Sequence, residues 1–421
     1  MKRGFYTIMA AQFFSSLADN ALFVAAVQLL KDDGLPEWQR AALVPTFAFF
    51  YVVFAPFVGA LADRFPKGNV MLVSNAIKVV GCLMMLFNIH PLISYAVVGL
   101  GAAAYSPAKY GILTELLPAS QLVKANGWIE GLTIGSIILG VVLGGFLIGP
   151  SVAPYVLGLE IPSVDANADG SIAILVFVYA VAAAFNYFIP RTEAPLRALP
   201  HSIWALIQEF NDCNRRLWAD KLGQISLATT TLFWGAGGNL RYIVLAWAAA
   251  SLGYSTQQAT SLVGVVAIGT AAGAVYASMR MKLDEAPKVI PLGVGMGVLV
   301  IGMIFVTNLW IAIPFLIVLG AIGGFLVVPM NALLQHRGHN LMGAGRSIAV
   351  QNFNEQACIL GLGAFYAGMT SFGVSALTAI TAFGAVVASV MWLIGRWHKS
   401  NLIRYPKEVG DLLAKAREGG H

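Results

Sequence analysis

Apolar residues run along this chain in twelve long stretches separated by short polar turns, near 5–30, 41–62, 70–89, 92–116, 124–149, 171–190, 222–250, 258–280, 288–307, 309–334, 343–371 and 374–396. About 20 residues of helix cross the roughly 30 Å hydrocarbon core of a bilayer, so each stretch is long enough to span. Lipid offers no water to satisfy an open sheet edge, and runs of this length are therefore helices. The first run begins after Met1-Lys-Arg like a signal peptide, but it continues to Leu30, beyond a normal signal core, and is read as a retained first span.

Composition agrees. With 58% hydrophobic and 11% charged residues, the chain has too little polar surface for a soluble protein of 421 residues. Placing the N-terminus in the cytoplasm leaves only Lys31 and Arg40 in external loops, the positive-inside pattern, with both termini cytoplasmic. The net charge of +6 then reports topology and contact with anionic lipid, not nucleic-acid binding. Cys82, Cys213 and Cys358 fall in spans 3 and 11 and a cytoplasmic segment, so no disulfide is expected. No Gly-Lys phosphate loop, Gly-x-Ser-x-Gly elbow, Cys-x-x-Cys or His-x4-Asp pattern is present, and the expectation is a protein that is not an enzyme and carries no cofactor or metal.

The chain also repeats itself. Phe14–Asn20 (FSSLADN) aligns with Phe233–Asn239 (FWGAGGN) at an offset of 219, and Ala125-Asn126-Gly127 aligns with Ala344-Gly345-Arg346 at the same offset. Gly101 and Pro107 answer Gly323 and Pro329 at an offset of 222. The expected fold is thus all-α, two pseudo-symmetric six-helix bundles at 1–190 and 222–396, with a cytoplasmic linker at 191–221 and a cytoplasmic tail at 397–421. Within the linker, Leu206, Phe210, Cys213 and Leu217 share one helical face, which predicts an amphipathic helix lying on the cytoplasmic leaflet.

A transporter built of two such bundles would bind cargo near the midplane and rock in alternating access, so on that expectation the informative residues are polar ones deep in the spans. A charge at a span centre costs about 2.5 to 3.5 kcal/mol even on a lenient scale and needs a partner or a wet cavity. Asp19, beside Asn20, lies about 21 Å along span 1. Arg241 in span 7 and Glu355 in span 11 should lie at similar depth. Two readings stay open for this layer: a salt bridge between bundles that stabilises one conformation, or a cargo and gating site. Gln351 and Glu355, four apart, share a face, while Asn352 and Asn354 serve either the cavity or neighbouring helices. Lys109, in Tyr105-Ser-Pro-Ala-Lys109-Tyr110, either receives a phosphate or snorkels to water, and Pro107 should kink span 4. Glu130 is either a gate partner or a carboxylate reaching the interface.

Between spans 2 and 3 lies Gly59-Ala-Leu-Ala-Asp63-Arg64-Phe65-Pro66-Lys67-Gly68, which resembles the signature loop of the major facilitator superfamily, with Pro66 where glycine is usual. Gly59, Asp63, Arg64 and Lys67 are read as a conformational lock against neighbouring helix ends. Gly140-Val-Val-Leu-Gly144-Gly145 resembles the superfamily's antiporter motif but has Val141 in place of proline, which speaks against drug/proton exchange. The segments AQFFSSLADNALF, GAAAYSPAKYGILTEL, LVKANG, LFWGAGGNLR, GGFLVVPMNALLQ and GAGRSIAVQN together resemble the bacterial lysophospholipid transporter family. That resemblance implies a flippase of the inner membrane, and a monomer is expected. It would move lysophosphatidylethanolamine and lysophosphatidylglycerol from the outer to the inner leaflet, where an acyltransferase/acyl-carrier-protein synthetase system reacylates them. Arg241 suits a phosphate because its planar fork binds two oxygens, and Asp19 or Glu355 suits an ethanolamine ammonium. Two alternatives are a proton-coupled facilitator of another small amphiphile and a non-transporting lipid sensor or scaffold for an acyltransferase. The external loop 150–170, with Glu160, Asp165 and Asp169, yields no cargo role.

Overall fold

The computed structural model describes residues 3–35, 37–149, 152–199, 202–254 and 256–418. Among the described residues sixteen α-helices follow one another: α1 Arg3–Asp32, α2 Glu37–Val53, α3 Ala55–Arg64, α4 Lys67–Leu86, α5 Pro91–Leu116, α6 Ala119–Ile148, α7 Ala153–Leu157, α8 Asn167–Tyr187, α9 Ile203–Ala219, α10 Gly223–Trp247, α11 Thr256–Arg280, α12 Ile290–Gly302, α13 Leu309–Met342, α14 Ala344–Ser371, α15 Ala376–Arg404 and α16 Pro406–Glu418. Among the described residues eight helices are long and apolar enough to cross a membrane, and one bent pair makes a ninth. The other three expected positions are filled by α5, α10 and α14, whose polar residues lower their hydropathy.

The expected second span is not one straight helix. It bends by 66° between Val53 and Ala55, so α2 and α3 are separate elements. Pro56 sits in the first turn of α3, where its missing N–H breaks no helical bond but its ring ends the preceding ladder. The α3–α4 turn needs only Phe65 and Pro66, both extended, before α4 starts. Helix α5, by contrast, continues through Pro107.

The chain forms two compact units. The first comprises Met1–Leu116, Gly135–Asn211 and Gly343–Val350; the second comprises Leu117–Ile134, Asp212–Met342 and Gln351–His421. In the first unit α1 packs on α5 and α8, α4 on α5 and α8, and α2 on α5. In the second, α10 packs on α13 and α15, α12 on α13 and α15, and α11 on α13. The same pairing scheme thus occurs twice. It extends to side chains: Asn20 Nδ2 donates to the Ser16 carbonyl and Asn239 Nδ2 to the Gly235 carbonyl, each four residues back at 2.8 Å. Helices α11 and α13 approach so closely that a Cβ at Gly273 or Gly324 would strike the opposite backbone, the use of small residues expected where lipid removes the hydrophobic drive between helices.

The linker helix differs from the expectation. Phe210, Cys213 and Leu217 on the apolar face of α9 are buried in protein, so that face does not lie open on a leaflet. Ile203 and Trp204 at its start are exposed, and Leu206 is half-buried. The loop of 150–170 contains α7, and Asp169 accepts the N–H groups of Asp165 (3.2 Å) and Ala166 (3.0 Å) at the start of α8, a helix-capping task.

Candidate functional site

Three polar clusters interrupt the apolar interiors. In the first unit, Asp19 of α1 is joined by a residue that the sequence reading passed over, Lys78 of α4. Lys78 Nζ donates to Asp19 Oδ2 at 2.7 Å and to Ser15 Oγ at 3.0 Å. The hydroxyl of Tyr179 on α8 donates to Asp19 Oδ1 at 2.6 Å, and Ser15 donates to Asn75 Oδ1 at 2.8 Å. The ammonium also lies 5.1 Å from the ring centre of Tyr105 and 5.6 Å from that of Tyr179, within cation–π range. The Lys78 side chain is 1% exposed and that of Asp19 is 21% exposed, so the pair opens outward through its carboxylate. Gly101 makes room for it: a Cβ there would stand 2.7 Å from Lys78 Cγ and 2.7 Å from the Ser74 carbonyl.

Lys78 is thus a partner of Asp19 that the sequence reading did not name. A Lys eleven residues after the start of α4 lies about 16 Å along it, deep enough to have been found by the rule that drew attention to Asp19. The side chains of Arg241 and Glu130 lie outside the described residues.

In the second unit, Gln351 Nε2 donates to Glu355 Oε1 at 2.7 Å and, by a short bond, to Asn331 Oδ1. All three are buried, and the i, i+4 spacing on α14 brings Gln351 and Glu355 together as expected. Asn354 instead faces the linker, accepting from Trp218 Nε1 at 3.3 Å and donating to Asn214 at 3.0 Å. Asn126 donates to Gln335 at 2.9 Å. Arg337 grips Asp220 with two bonds of 3.1 and 2.6 Å, while Asp220 Oδ1 caps α10 through the N–H groups of Leu222 and Gly223. Lys109 of the first unit is buried, its ammonium 4.1 Å from the Tyr110 ring centre.

The third cluster gathers around the α3–α4 turn, within the first unit. Asp63 Oδ1 accepts from the Gly345 N–H at 2.7 Å, and Oδ2 accepts from the Arg346 N–H and Nη1, both at 3.1 Å. A carboxylate thus sits on the N-terminus of α14, where free N–H groups and the helix dipole favour negative charge. Lys67 Nζ bonds Asp63 at 3.3 Å, the Ala62 carbonyl at 2.7 Å and Glu115 at 2.8 Å, and Thr192 donates to Glu115 at 2.6 Å. Arg346 Nε reaches Glu209 of α9 at 2.9 Å. At Gly59 a Cβ would lie 2.7 Å from that of Ala349. Gly59, Asp63 and Lys67 therefore meet, whereas Arg64 is exposed and forms no ion pair among the described residues. Arg346 and Glu209 were not singled out by sequence, since Arg346 looks like an ordinary charge at a helix end and Glu209 like one on the polar face of the linker helix.

Long apolar helices, a doubled bundle and buried ion pairs inside it define a polytopic membrane transporter. Residues 8–362 match the Major Facilitator Superfamily. The chain is 40% identical over 374 residues to "Lysophospholipid transporter LplT" of Yersinia pestis (strain Pestoides F), covering 89% of this chain and 88% of that protein, and equally to the protein so named in Yersinia pseudotuberculosis serotype O:3 (strain YPIII). Solved structures share the fold at 14% identity. The transporter FucP in the outward conformation has a TM-score of 0.70 over 94% of this chain and 98% of that one. The human organic anion transporter MFSD10 (TETRAN) has 0.68 over 94% and 100%. The chain belongs to the major facilitator superfamily and, within it, to the lysophospholipid transporter family.

Proposed function

We propose that this protein is a lysophospholipid transporter of a bacterial inner membrane. It carries lysophosphatidylethanolamine and lysophosphatidylglycerol from the outer to the inner leaflet by alternating access with a lateral opening. It works as a monomer with both termini in the cytoplasm, and an acyltransferase/acyl-carrier-protein synthetase system consumes its product. The observation that carries this reading is the 40% identity across 89% of the chain to proteins named for lysophospholipid transport. The two bundles are 1–190 and 222–396, joined by the linker 191–221, with 397–421 as tail.

A lysophospholipid presents one phosphate, a polar head and one acyl chain, so its path requires a cation, polar acceptors and an apolar flank. Arg241 binds the phosphate; Asp19 and Asn20 of the first unit, and separately Gln351 and Glu355 of the second, are polar groups that meet the head group. Tyr105 and Lys109 line the path taken by the head in α5. The turn residues Gly59, Asp63, Arg64 and Lys67, with Glu130, act as the lock, with Asp63 holding the first turn of α14. The test is movement of labelled lysophosphatidylethanolamine in proteoliposomes without ion gradients, comparing wild type with Asp19→Asn and Arg241→Gln. Movement by wild type and a clear fall in its rate in the correctly inserted variants support the reading; absence of movement by wild type, with or without a proton or sodium gradient, overturns it.

A further inference from the structure

Asp19 already has a cation, and the choice of that cation bears on which head groups the site tolerates. Lys78 stands 2.7 Å from Asp19 Oδ2 at 1% exposure, so its charge is fixed inside the first unit and cancels that of the carboxylate. Without Lys78 the cluster of Asp19, Ser15, Asn75, Tyr105 and Tyr179 would carry a net charge of minus one in an apolar interior. Two donors within it are unspent. Asn75 Nδ2 and the Tyr105 hydroxyl are buried with no hydrogen-bond partner among the described residues, at 0% and 3% residue exposure. Both can donate to an anionic oxygen, which a bare carboxylate beside them would repel.

We propose that Lys78 is a specificity-determining residue: by neutralising Asp19 it lets one site accept both a zwitterionic and an anionic lysolipid head. The proposal rests on the lysolipid reading above. A lysophosphatidylethanolamine head is neutral overall and brings its own ammonium for Asp19. A lysophosphatidylglycerol head is anionic and brings none, so its entry depends on Lys78 remaining against Asp19. Lys78 acts through Asp19 and is a positioning residue for the head group.

The experiment measures the ratio of lysophosphatidylglycerol to lysophosphatidylethanolamine transport in proteoliposomes. The proteins are wild type, Lys78→Met, Lys78→Arg and the double variant Asp19→Asn/Lys78→Met. A unit charge about 10 Å from the phosphate, at an effective dielectric near 20, changes an equilibrium by roughly tenfold. Lys78→Met is therefore expected to lower the ratio about tenfold, and Lys78→Arg to restore it. The double variant transports less of both lipids but recovers a ratio near that of wild type, because it is again neutral. A merely structural lysine would lower both rates together and leave the ratio unmoved in every variant, and that result overturns the proposal. If Lys78→Met fails to insert, the double variant and Lys78→Arg still decide: a tenfold fall of the ratio in either one refutes charge balance. Failure of wild type to move either lipid instead refutes the transport reading itself.

Discussion

Replacing Asp63 by Asn keeps the size of the side chain and one carbonyl oxygen but removes the charge that four donors share. Gly345 N–H, Arg346 N–H, Arg346 Nη1 and Lys67 Nζ all point at that carboxylate. The amide can serve one side of the set; its NH2 then faces cations. Breaking a buried pair by removing one partner costs about 3–5 kcal/mol. The lower end applies here, since Arg346 keeps Glu209 at 2.9 Å and Lys67 keeps Glu115 at 2.8 Å. About 3 kcal/mol corresponds to a shift of roughly a hundredfold towards states in which the first turn of α14 has left Asp63. Ser347 is a suitable reporter, because it is 0% exposed and its hydroxyl has no partner among the described residues, so Ser347→Cys is nearly isosteric and silent. In a background lacking Cys82, Cys213 and Cys358, maleimide reaches this thiol only when the contact opens, and the labelling rate follows the open population when opening is fast. Asp63→Asn is expected to raise that rate about a hundredfold. A rate within threefold of the parent would refute the claim that the carboxylate holds α14.

Asp220→Ala should lower the thermal unfolding midpoint in detergent strongly, since it strands buried Arg337 at a cost of about 3–5 kcal/mol and uncaps α10. The double variant Asp220→Leu/Arg337→Met should recover most of that loss, and a double variant no better than the single would count against a charge-based explanation. Gly101→Ala should cost about 1–3 kcal/mol by overpacking and impair lysolipid movement by pushing Lys78 away from Asp19; wild-type transport in that variant would contradict the geometry. Asp169→Ala should cost about 1 kcal/mol, visible as faster hydrogen exchange around the start of α8, with transport unchanged.

Length and hydropathy located the helices because lipid imposes both. They could not show the 66° break before Ala55, since Pro56 lies inside an apolar run whose composition is the same bent or straight. The linker face was legible as amphipathic, but periodicity does not distinguish protein from lipid as the surface that covers it, and Phe210, Cys213 and Leu217 are covered by protein. Among the polar groups, the i, i+4 pair Gln351–Glu355 was readable because one helix supplies both partners. Asp19 was readable as a group in need of a partner. Its actual partner lies 59 residues away on another helix, and Arg346 meets Asp63 across 283 residues, separations over which residue spacing carries no signal.

The repeat explains which of these charges matter. Pro66-Lys67 answers Pro287-Lys288 at an offset of 221, which sets Lys78 opposite Leu299, while the offset of 219 sets Asp19 opposite Gly238. Both units keep the same helix pairing and the same asparagine back-bond, so neither packing nor capping required an ion pair between the first and third spans. Among its described residues the second unit has no ion pair at the matching place. A pair that the fold does not need, whose two charges cost energy to bury, fits the head-group role proposed for it. If stability alone kept it, the apolar variant Asp19→Leu/Lys78→Leu would unfold at lower temperature than wild type. The expected outcome is a protein at least as stable that moves lysolipid more slowly, measured on one preparation by unfolding and by proteoliposome transport.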